Sequence, residues 1–391
     1  VGLNIIGVTG TNGKTTVTYM LRSIFEKNNI SCGIIGTTGH SFGNVKYEAV
    51  NTTPGAELLD QLLKEMEQGG ITCCIMEVSS HGLAQDRVKN INFQYGIFTN
   101  LTQDHLDYHK TLENYFEAKK KLFNMTSKAN IINIDDEYGL RIVKDLEKEK
   151  NETNTITYSL KDKKANYYCE IAETTERGSK FNLYENGKLL GALSINMPGI
   201  FMIYNSLASI ACARENNISF EVIKEGCQEL KGVPGRFQLV ENSSDIIAIV
   251  DYAHTPDALE KVLKTATDFK RGKIICVFGC GGDRDKKKRP IMGKVVGEYC
   301  DYAIITSDNP RTEDQQIIAA EIEEGIYHTG CNYEIIKDRY NAIKKAIEIY
   351  KKGDIIIVAG KGHETYQIIG KEKFYFDDRE ALQEIIKNYG E

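Results

Sequence analysis

Short apolar runs alternate with amphipathic stretches through two separate parts of this chain. That rhythm restricts the fold to α/β, with mostly parallel sheets covered by helices on both faces. In the first part the apolar runs are 3–8, 32–36, 72–78, 95–99 and 130–134, and the helical patterns are 16–27, 56–68, 112–123 and 137–149. In the second, strands are expected at 246–250, 273–278, 302–306, 333–336 and 354–358. Helices are expected there at 256–269, 291–298, 315–327, 339–350 and 378–388. Between the two, residues 151–196 change texture. Four short strand-like runs are separated by Asp162-Lys163-Lys164, Arg177-Gly178-Ser179 and Glu185-Asn186-Gly187. They read as a small antiparallel annex, the Asn-Gly pair being a hairpin signal. Helical patterns at 199–215 and 220–230 close the first part. Gly232-Val233-Pro234-Gly235 then joins rigid and permissive residues, as a hinge requires. The expected organisation is a doubly wound parallel-sheet domain over 1–234, then a smaller Rossmann-like domain over 235–391.

In such sheets ligands bind beyond the carboxyl ends of the strands, and the polar clusters fall there. After the first run comes Gly7-Val8-Thr9-Gly10-Thr11-Asn12-Gly13-Lys14-Thr15-Thr16, leading into a helix. Strand, glycine-rich turn and helix N-terminus together cradle phosphates with backbone N–H groups. Lys14 is placed to reach the outer phosphates and Thr15 to bind Mg²⁺. The glycine spacing departs from the common phosphate loop, since Val8 stands where its first Gly is usual.

Glu77 ends an apolar run, where a lone carboxylate is costly without a cation. His105 follows the next strand, in Asn100-Leu101-Thr102-Gln103-Asp104-His105. As structural residues, Glu77 would cap a helix or pair with a Lys, and His105 would sit on the surface. Lys119-Lys120-Lys121 reads as a solvated helix face. Thr52, Thr53, Ser79, Gln85 and Arg87 lie near the strand-end rim and fit a polar substrate, or equally loop caps and turns. In the second domain Arg284 and Asp308-Asn309-Pro310-Arg311 place guanidinium groups at strand ends, where Arg recognises carboxylates. Asp308 and Glu364 are placed to meet an ammonium, so the set suggests an amino-acid ligand, with intradomain ion pairing as the alternative.

Other classes are disfavoured. A net charge of −6 gives no basis for bulk nucleic-acid binding. No apolar run approaches the ~20 residues that span a bilayer. The ten cysteines include no Cys-x-x-Cys pair and read as buried free thiols in a reducing cytoplasm. Val1 stands where a native start would carry Met, so removal of something upstream is expected.

The chain resembles the Mur ligases, the ATP-dependent amide-bond-forming enzymes of peptidoglycan synthesis, and within them the diaminopimelate-adding members. The segments that carry the resemblance run the whole length in family order. They are 10–16, Asn51-Thr52-Thr53-Pro54, Met76 to Gly82, Thr99 to His109, Glu117-Ala118-Lys119, Gly232 to Phe237, Asp251 to Pro256, Gly279 to Asp285, Asp308 to Arg311 and Gly360 to Glu364. The resemblance implies that Gly10, Thr11, Asn12, Gly13, Lys14, Thr15 and Thr16 bind ATP, with His254 on the nucleotide side of the second domain. It implies that Thr15, Glu77, His105 and a carbamylated Lys119 hold Mg²⁺, and that Lys14, Glu77, His105 and Lys119 are catalytic. Asn51, Thr52, Thr53, Ser79, Gln85 and Arg87 would bind the UDP-N-acetylmuramoyl dipeptide. Arg284, Asp308, Asn309, Pro310, Arg311, Gly360 and Glu364 would bind meso-diaminopimelate, with Arg311 separating it from lysine. A lysine-adding or folylpolyglutamate-type ligase is the nearest rival, and a nucleotide-binding ATPase without ligase activity the more distant one. The given residues start at the phosphate-loop strand, so the family's N-terminal uridine-binding domain is expected either to have been cut away or to be replaced by a differently bound carrier, and Gln315 stands where a Pro is usual.

Overall fold

The computed structural model describes residues 2–242 and 244–389. They form two compact units, Val1–Lys231 and Gly232–Glu391.

The first unit contains one long sheet. Its strands are β1 (Asn4–Thr9), β2 (Cys32–Gly36), β3 (Gly39–Phe42), β4 (Val45–Tyr47), β5 (Cys73–Glu77), β6 (Phe93–Phe98), β7 (Thr126–Asn133), β8 (Asn154–Ser159), β9 (Tyr167–Thr175), β10 (Gly178–Glu185) and β11 (Lys188–Ile195). Their spatial order is β11-β10-β9-β8-β7-β6-β1-β5-β2-β3-β4. Every residue of β2 and β5 is buried, as continuous apolar runs in a parallel sheet should be. The helices are α1 (Lys14–Lys27), α2 (Ala56–Gln68), α3 (Ser80–Ala84), α4 (Leu106–His109), α5 (Leu112–Lys120), α6 (Glu137–Lys148), α7 (Ile200–Glu215) and α8 (Phe220–Glu229). Polar caps start several of them. Ser79 Oγ accepts from Gly82 N, Thr111 Oγ1 from Asn114 N, and Asp136 Oδ1 from Tyr138 N. α7 is apolar nearly all round and packs on both α1 and the sheet.

β1 lies between β5 and β6, parallel to both, and the connections diverge on either side of it. Such a reversal opens a crevice at the carboxyl ends of the strands. Two features differ from the sequence reading. The annex is antiparallel only from β9 onward, because β8 pairs in parallel with β7 and extends the main sheet. The β3–β4 hairpin is an addition whose outer strand is only three residues long and exposed.

The second unit has a six-stranded sheet of β12 (Gln238–Leu239), β13 (Ile247–Asp251), β14 (Ile274–Phe278), β15 (Tyr302–Ile305), β16 (Asn332–Ile335) and β17 (Ile355–Ala359), ordered β12-β13-β17-β14-β15-β16. β18 (Tyr366–Ile369) and β19 (Glu372–Tyr375) form a separate hairpin. The helices are α9 (Pro256–Phe269), α10 (Lys288–Tyr299), α11 (Gln315–Ile326), α12 (Arg339–Ile349) and α13 (Asp378–Tyr389). Behind the sheet, fully buried Arg339 pairs with Asp378 at 2.7 and 2.8 Å and donates to Ser307 O and Ala359 O. That ties the ends of two central strands to α12 and α13. Loss of either charge would leave the other unpaired, at a cost of about 3–5 kcal/mol.

Candidate active site

The chain turns from β1 into α1 at Gly13, whose φ of +92° is left-handed and where a Cβ would collide with the Asn205 side chain. The helix therefore begins in a tight turn, and its first N–H groups lack intrahelical acceptors. The loop is held from behind. Thr11 N donates to Asn100 O at 2.8 Å, Asn12 N to Asn100 Oδ1 at 3.0 Å, and Thr99 Oγ1 to Asn12 O at 2.6 Å. Thr11 Oγ1 lies 3.1 Å from the Tyr115 hydroxyl.

Two amines converge on this loop. Lys14 Nζ donates to Gly10 O and Thr11 O, both at 2.9 Å. Lys119 Nζ donates to the same Gly10 oxygen at 2.9 Å and lies 4.6 Å from the centre of the Tyr115 ring. Lys119 is 1% exposed, so the solvated-face reading of the lysine run is corrected at this position. Its neighbour Lys120 pairs with Asp145 and Glu149, and Lys121 is exposed. Burial, reinforced by the Lys14 amine and opposed by Asp104, pushes the Lys119 pKa well down, favouring the neutral amine.

Glu77 is fully buried at the end of β5, in register with Val8 beside the strand that enters the loop. It neither caps a helix nor pairs with a lysine. Its Oε1 accepts from Thr37 N at 3.0 Å and its Oε2 from Thr37 Oγ1 at 2.9 Å. His105 heads α4 with a left-handed φ of +53°. Its ring lies 4.9 Å from His81 and 6.1 Å from Tyr115, and Asp104 is 3.5 Å from Nε2. The side chain keeps 44% of its surface exposed, yet its pKa is pushed down. Desolvation leads, His81, Lys14 and Lys119 add to it, and Asp104 opposes. A neutral imidazole is the form that ligates metals.

Most of the rim residues assemble beside Glu77. Thr53 Oγ1 donates to Glu77 O at 2.9 Å and accepts from Ser79 N at 2.8 Å. Arg87 Nη1 donates to Thr53 O at 2.7 Å and Arg87 Nε to Gln85 Oε1 at 2.9 Å. Thr52 Oγ1 is 3.0 Å from Thr37 Oγ1, while Asn51 is exposed. Among the described residues no three His, Cys, Asp or Glu side chains form a metal cage. Mg²⁺ at a phosphate site needs only one or two protein oxygens, so buried Thr15 and Glu77 fit it without one.

In the second unit, Asp308 Oδ1 accepts from Asn309 N at 2.7 Å. Gly360, at φ +111°, comes so close to Asp308 Oδ2 that a Cβ would displace it. Asn309 Nδ2 donates to Glu364 Oε2 at 2.9 Å. Arg311 takes a left-handed φ of +51° and bridges to β18, with its N donating to Ile368 O at 3.0 Å. Its Nη1 donates to Gly282 O at 2.8 Å. Arg284 is exposed and its Nη1 donates to Asp283 O at 3.1 Å. His254 is exposed near the start of α9, its Nδ1 2.9 Å from Tyr252 O. Sequence reasoning missed Thr37, Tyr115 and Lys361. Thr37 and Lys361 both follow strand ends, the signal used for the other site residues, and Lys361 lies inside the Gly360–Glu364 cluster.

Residues 8–213 match the Mur ligase middle domain, and residues 235–362 match the Mur ligase, glutamate ligase domain. The chain belongs to the Mur ligase family. It is 49% identical over 387 residues to UDP-N-acetylmuramoyl-L-alanyl-D-glutamate--2,6-diaminopimelate ligase 1 of Clostridium acetobutylicum, a match covering 98% of this chain and 78% of that protein. It is 48% identical over 387 residues to the 2,6-diaminopimelate ligase of Clostridioides difficile, again covering 98% and 78%. A solved UDP-N-acetylmuramoyl-L-alanyl-D-glutamate--2,6-diaminopimelate ligase superposes with a TM-score of 0.72 at 36% identity, covering 100% of this chain and 80% of that one. A Mycobacterium tuberculosis folylpolyglutamate synthase complexed with ADP gives a TM-score of 0.75 at 14% identity, covering 92% and 88%, a likeness of fold alone. No helix among the described residues of this Mur ligase is long and apolar enough to cross a membrane.

Proposed function

We infer that this Mur ligase is an ADP-forming amide ligase that joins meso-diaminopimelate to UDP-N-acetylmuramoyl-L-alanyl-D-glutamate in peptidoglycan synthesis. The observation that carries the reading is Arg311, the last residue of Asp308-Asn309-Pro310-Arg311. Its backbone is locked to β18, and its guanidinium donates to Gly282 O at 2.8 Å and lies 3.5 Å from the backbone oxygen of Asn309, whose side chain holds Glu364. A held guanidinium on the same loop as Asp308 and Asn309 matches a substrate with an ammonium and a distal carboxylate. Lysine lacks that distal carboxylate.

The first unit holds ATP and the muramoyl dipeptide. The loop N–H groups and Lys14 bind the ATP phosphates. Thr52, Thr53, Ser79, Gln85 and Arg87, with Asn51 beside them, bind the muramoyl dipeptide. The terminal D-glutamyl carboxylate attacks the γ-phosphorus, ADP leaves, and an acyl phosphate remains. Lys14 counters the negative charge that moves during this step. The diaminopimelate amine, held by Asp308 and Glu364, then attacks the acyl carbon. The amine proton is lost and inorganic phosphate departs.

Thr15, Glu77 and His105 are the side chains that would hold Mg²⁺. When bound, the ion supplies charge neutralisation at the phosphoryl oxygens. Lys119 suits carbamylation because its amine is buried and favoured neutral: nitrogen attacks CO₂, a proton leaves, and a cation becomes an anion. ATP and a nucleotide-linked sugar as substrates, together with the free, mostly buried thiols, support a cytoplasmic location.

The test is phosphate release in the presence of ATP, the nucleotide-sugar dipeptide and one amino acid at a time. Release that needs the dipeptide and meso-diaminopimelate together supports the assignment. Release with neither marks a simple ATPase, and preference for lysine marks the lysine-adding reaction.

A further inference from the structure

Lys361 is fully buried in the second unit, between β17 and the β18–β19 hairpin. Its Nζ donates to Asn309 Oδ1 at 3.1 Å and to Glu364 Oε2 at 3.0 Å, and lies 5.4 Å from the centre of the Tyr366 ring. A buried ammonium is costly unless its hydrogens are used and its charge is countered. Here both conditions are met by two residues of the amino-acid site, although Lys361 itself takes no part in the steps above.

We propose that Lys361 is a positioning residue that sets which faces of Asn309 and Glu364 are turned to the incoming amino acid. The inference rests on the diaminopimelate reading above and deepens it. Asn309 Oδ1 receives two donors, Lys361 Nζ and Ile368 N at 3.0 Å. Its amide orientation is therefore fixed, and Nδ2 must face Glu364. Glu364 Oε2 in turn accepts from both Asn309 Nδ2 and Lys361 Nζ. Among the described residues no donor reaches Glu364 Oε1 or Asp308 Oδ2, although Asp308 Oδ1 takes Asn309 N. Lys361 thus occupies one Glu364 oxygen and leaves the other, with Asp308 Oδ2, for a substrate ammonium. It also offsets one of two neighbouring carboxylate charges, so a single ammonium meets a balanced site rather than a doubly negative one.

The arrangement predicts a substrate-selective defect. Lys361→Met removes the charge and both hydrogen bonds while keeping a similar apolar stem. We expect KM for meso-diaminopimelate to rise by about tenfold or more, the scale of a lost charge-assisted hydrogen bond. KM for ATP and for the nucleotide-sugar dipeptide should stay within about twofold of the parent. Lys361→Gln, which can still donate one hydrogen bond, should fall between. If Lys361→Met does not fold by circular dichroism, Lys361→Gln carries the same comparison. An unchanged diaminopimelate KM, or equal loss toward all three substrates, overturns the proposal. A parent enzyme with no diaminopimelate-dependent phosphate release would instead overturn the underlying assignment, so the two failures are distinguishable.

Discussion

Lys14 and Lys119 donate to one acceptor, the carbonyl oxygen of Gly10, each at 2.9 Å. One amine arrives from the first turn of α1 and the other from the last turn of α5. Like charges this close disfavour double protonation, and the buried member, Lys119, yields. Lys14 can then act as the cation and Lys119 as the nucleophile toward CO₂. Replacing Lys14 with Ala should lower kcat by on the order of 10²–10³ or more, as loss of a preorganised charge at a transferring phosphoryl group does. The fold should survive, because the loop is held by Asn100, Thr99 and Tyr115. Single-turnover ADP formation is the measurement. Near-parental turnover would take Lys14 out of the chemistry.

The Lys119 assignment has a spectroscopic consequence. Enzyme equilibrated with ¹³C-bicarbonate should show a carbamate carbon signal that is missing from Lys119→Met. Arg at this position stays protonated and cannot form a carbamate, so Lys119→Arg should be inactive despite keeping a cation. An active Lys119→Arg enzyme would show that charge alone suffices there.

Arg311→Ala should cost selectivity more than catalysis. Its guanidinium is partly buried against Gly282 O, and a lost charged contact is worth about 1.5–3 kcal/mol. That corresponds to roughly 10- to 100-fold in kcat/KM for meso-diaminopimelate. Lysine, with no distal carboxylate to miss, should change little. A ratio of the two that does not move in competition assays would point to another discriminating group.

The frame of both units was legible because buried parallel strands and capped helices write their physics locally. Cys32–Gly36, Ala56–Gln68 and Pro256–Phe269 coincide with the expected spans. The first is an unbroken buried run, and the last carries Thr255 as its cap with Pro at the first turn. The β3–β4 and β18–β19 hairpins were missed because their outer strands are exposed and only three and four residues long, too short for a period to show. Side-chain fate was less legible still. Lys119, Lys120 and Lys121 are identical letters in a row, yet one is buried under the phosphate-type loop, one is paired with acids and one is exposed. Nothing local separates them, since Lys119 is singled out by its bond to Gly10 O, 109 residues away in sequence. Thr37 and Lys361 each follow a strand end, but nothing local shows that they bond Glu77 and Asn309, which lie far away in sequence.

A pH effect on stability follows from Asp251, at the end of β13. Its Oδ2 accepts from Phe237 N at 2.6 Å and its Oδ1 from Ala253 N at 2.7 Å. Burial nevertheless pushes its pKa up to about 6, against Arg236 and the two backbone donors. An unfolded Asp titrates near 3.9, so the folded state binds this proton more tightly. Above about pH 6 the carboxylate is charged in both states, and the folded unit bears the desolvation cost. As pH falls from about 6 toward 4 the folded state takes up the proton first, and stability rises by at most about 3 kcal/mol. Asp251→Asn cannot titrate and places an NH₂ where one backbone N–H needs an acceptor. It should therefore be less stable at pH 5, and the Asp251 share of the acid-side gain should vanish from it. The informative quantity is the difference in unfolding free energy between parent and variant, from urea titrations at pH 7, 6 and 5. That difference should widen on acidification, and one that stays constant would remove Asp251 as the titrating group.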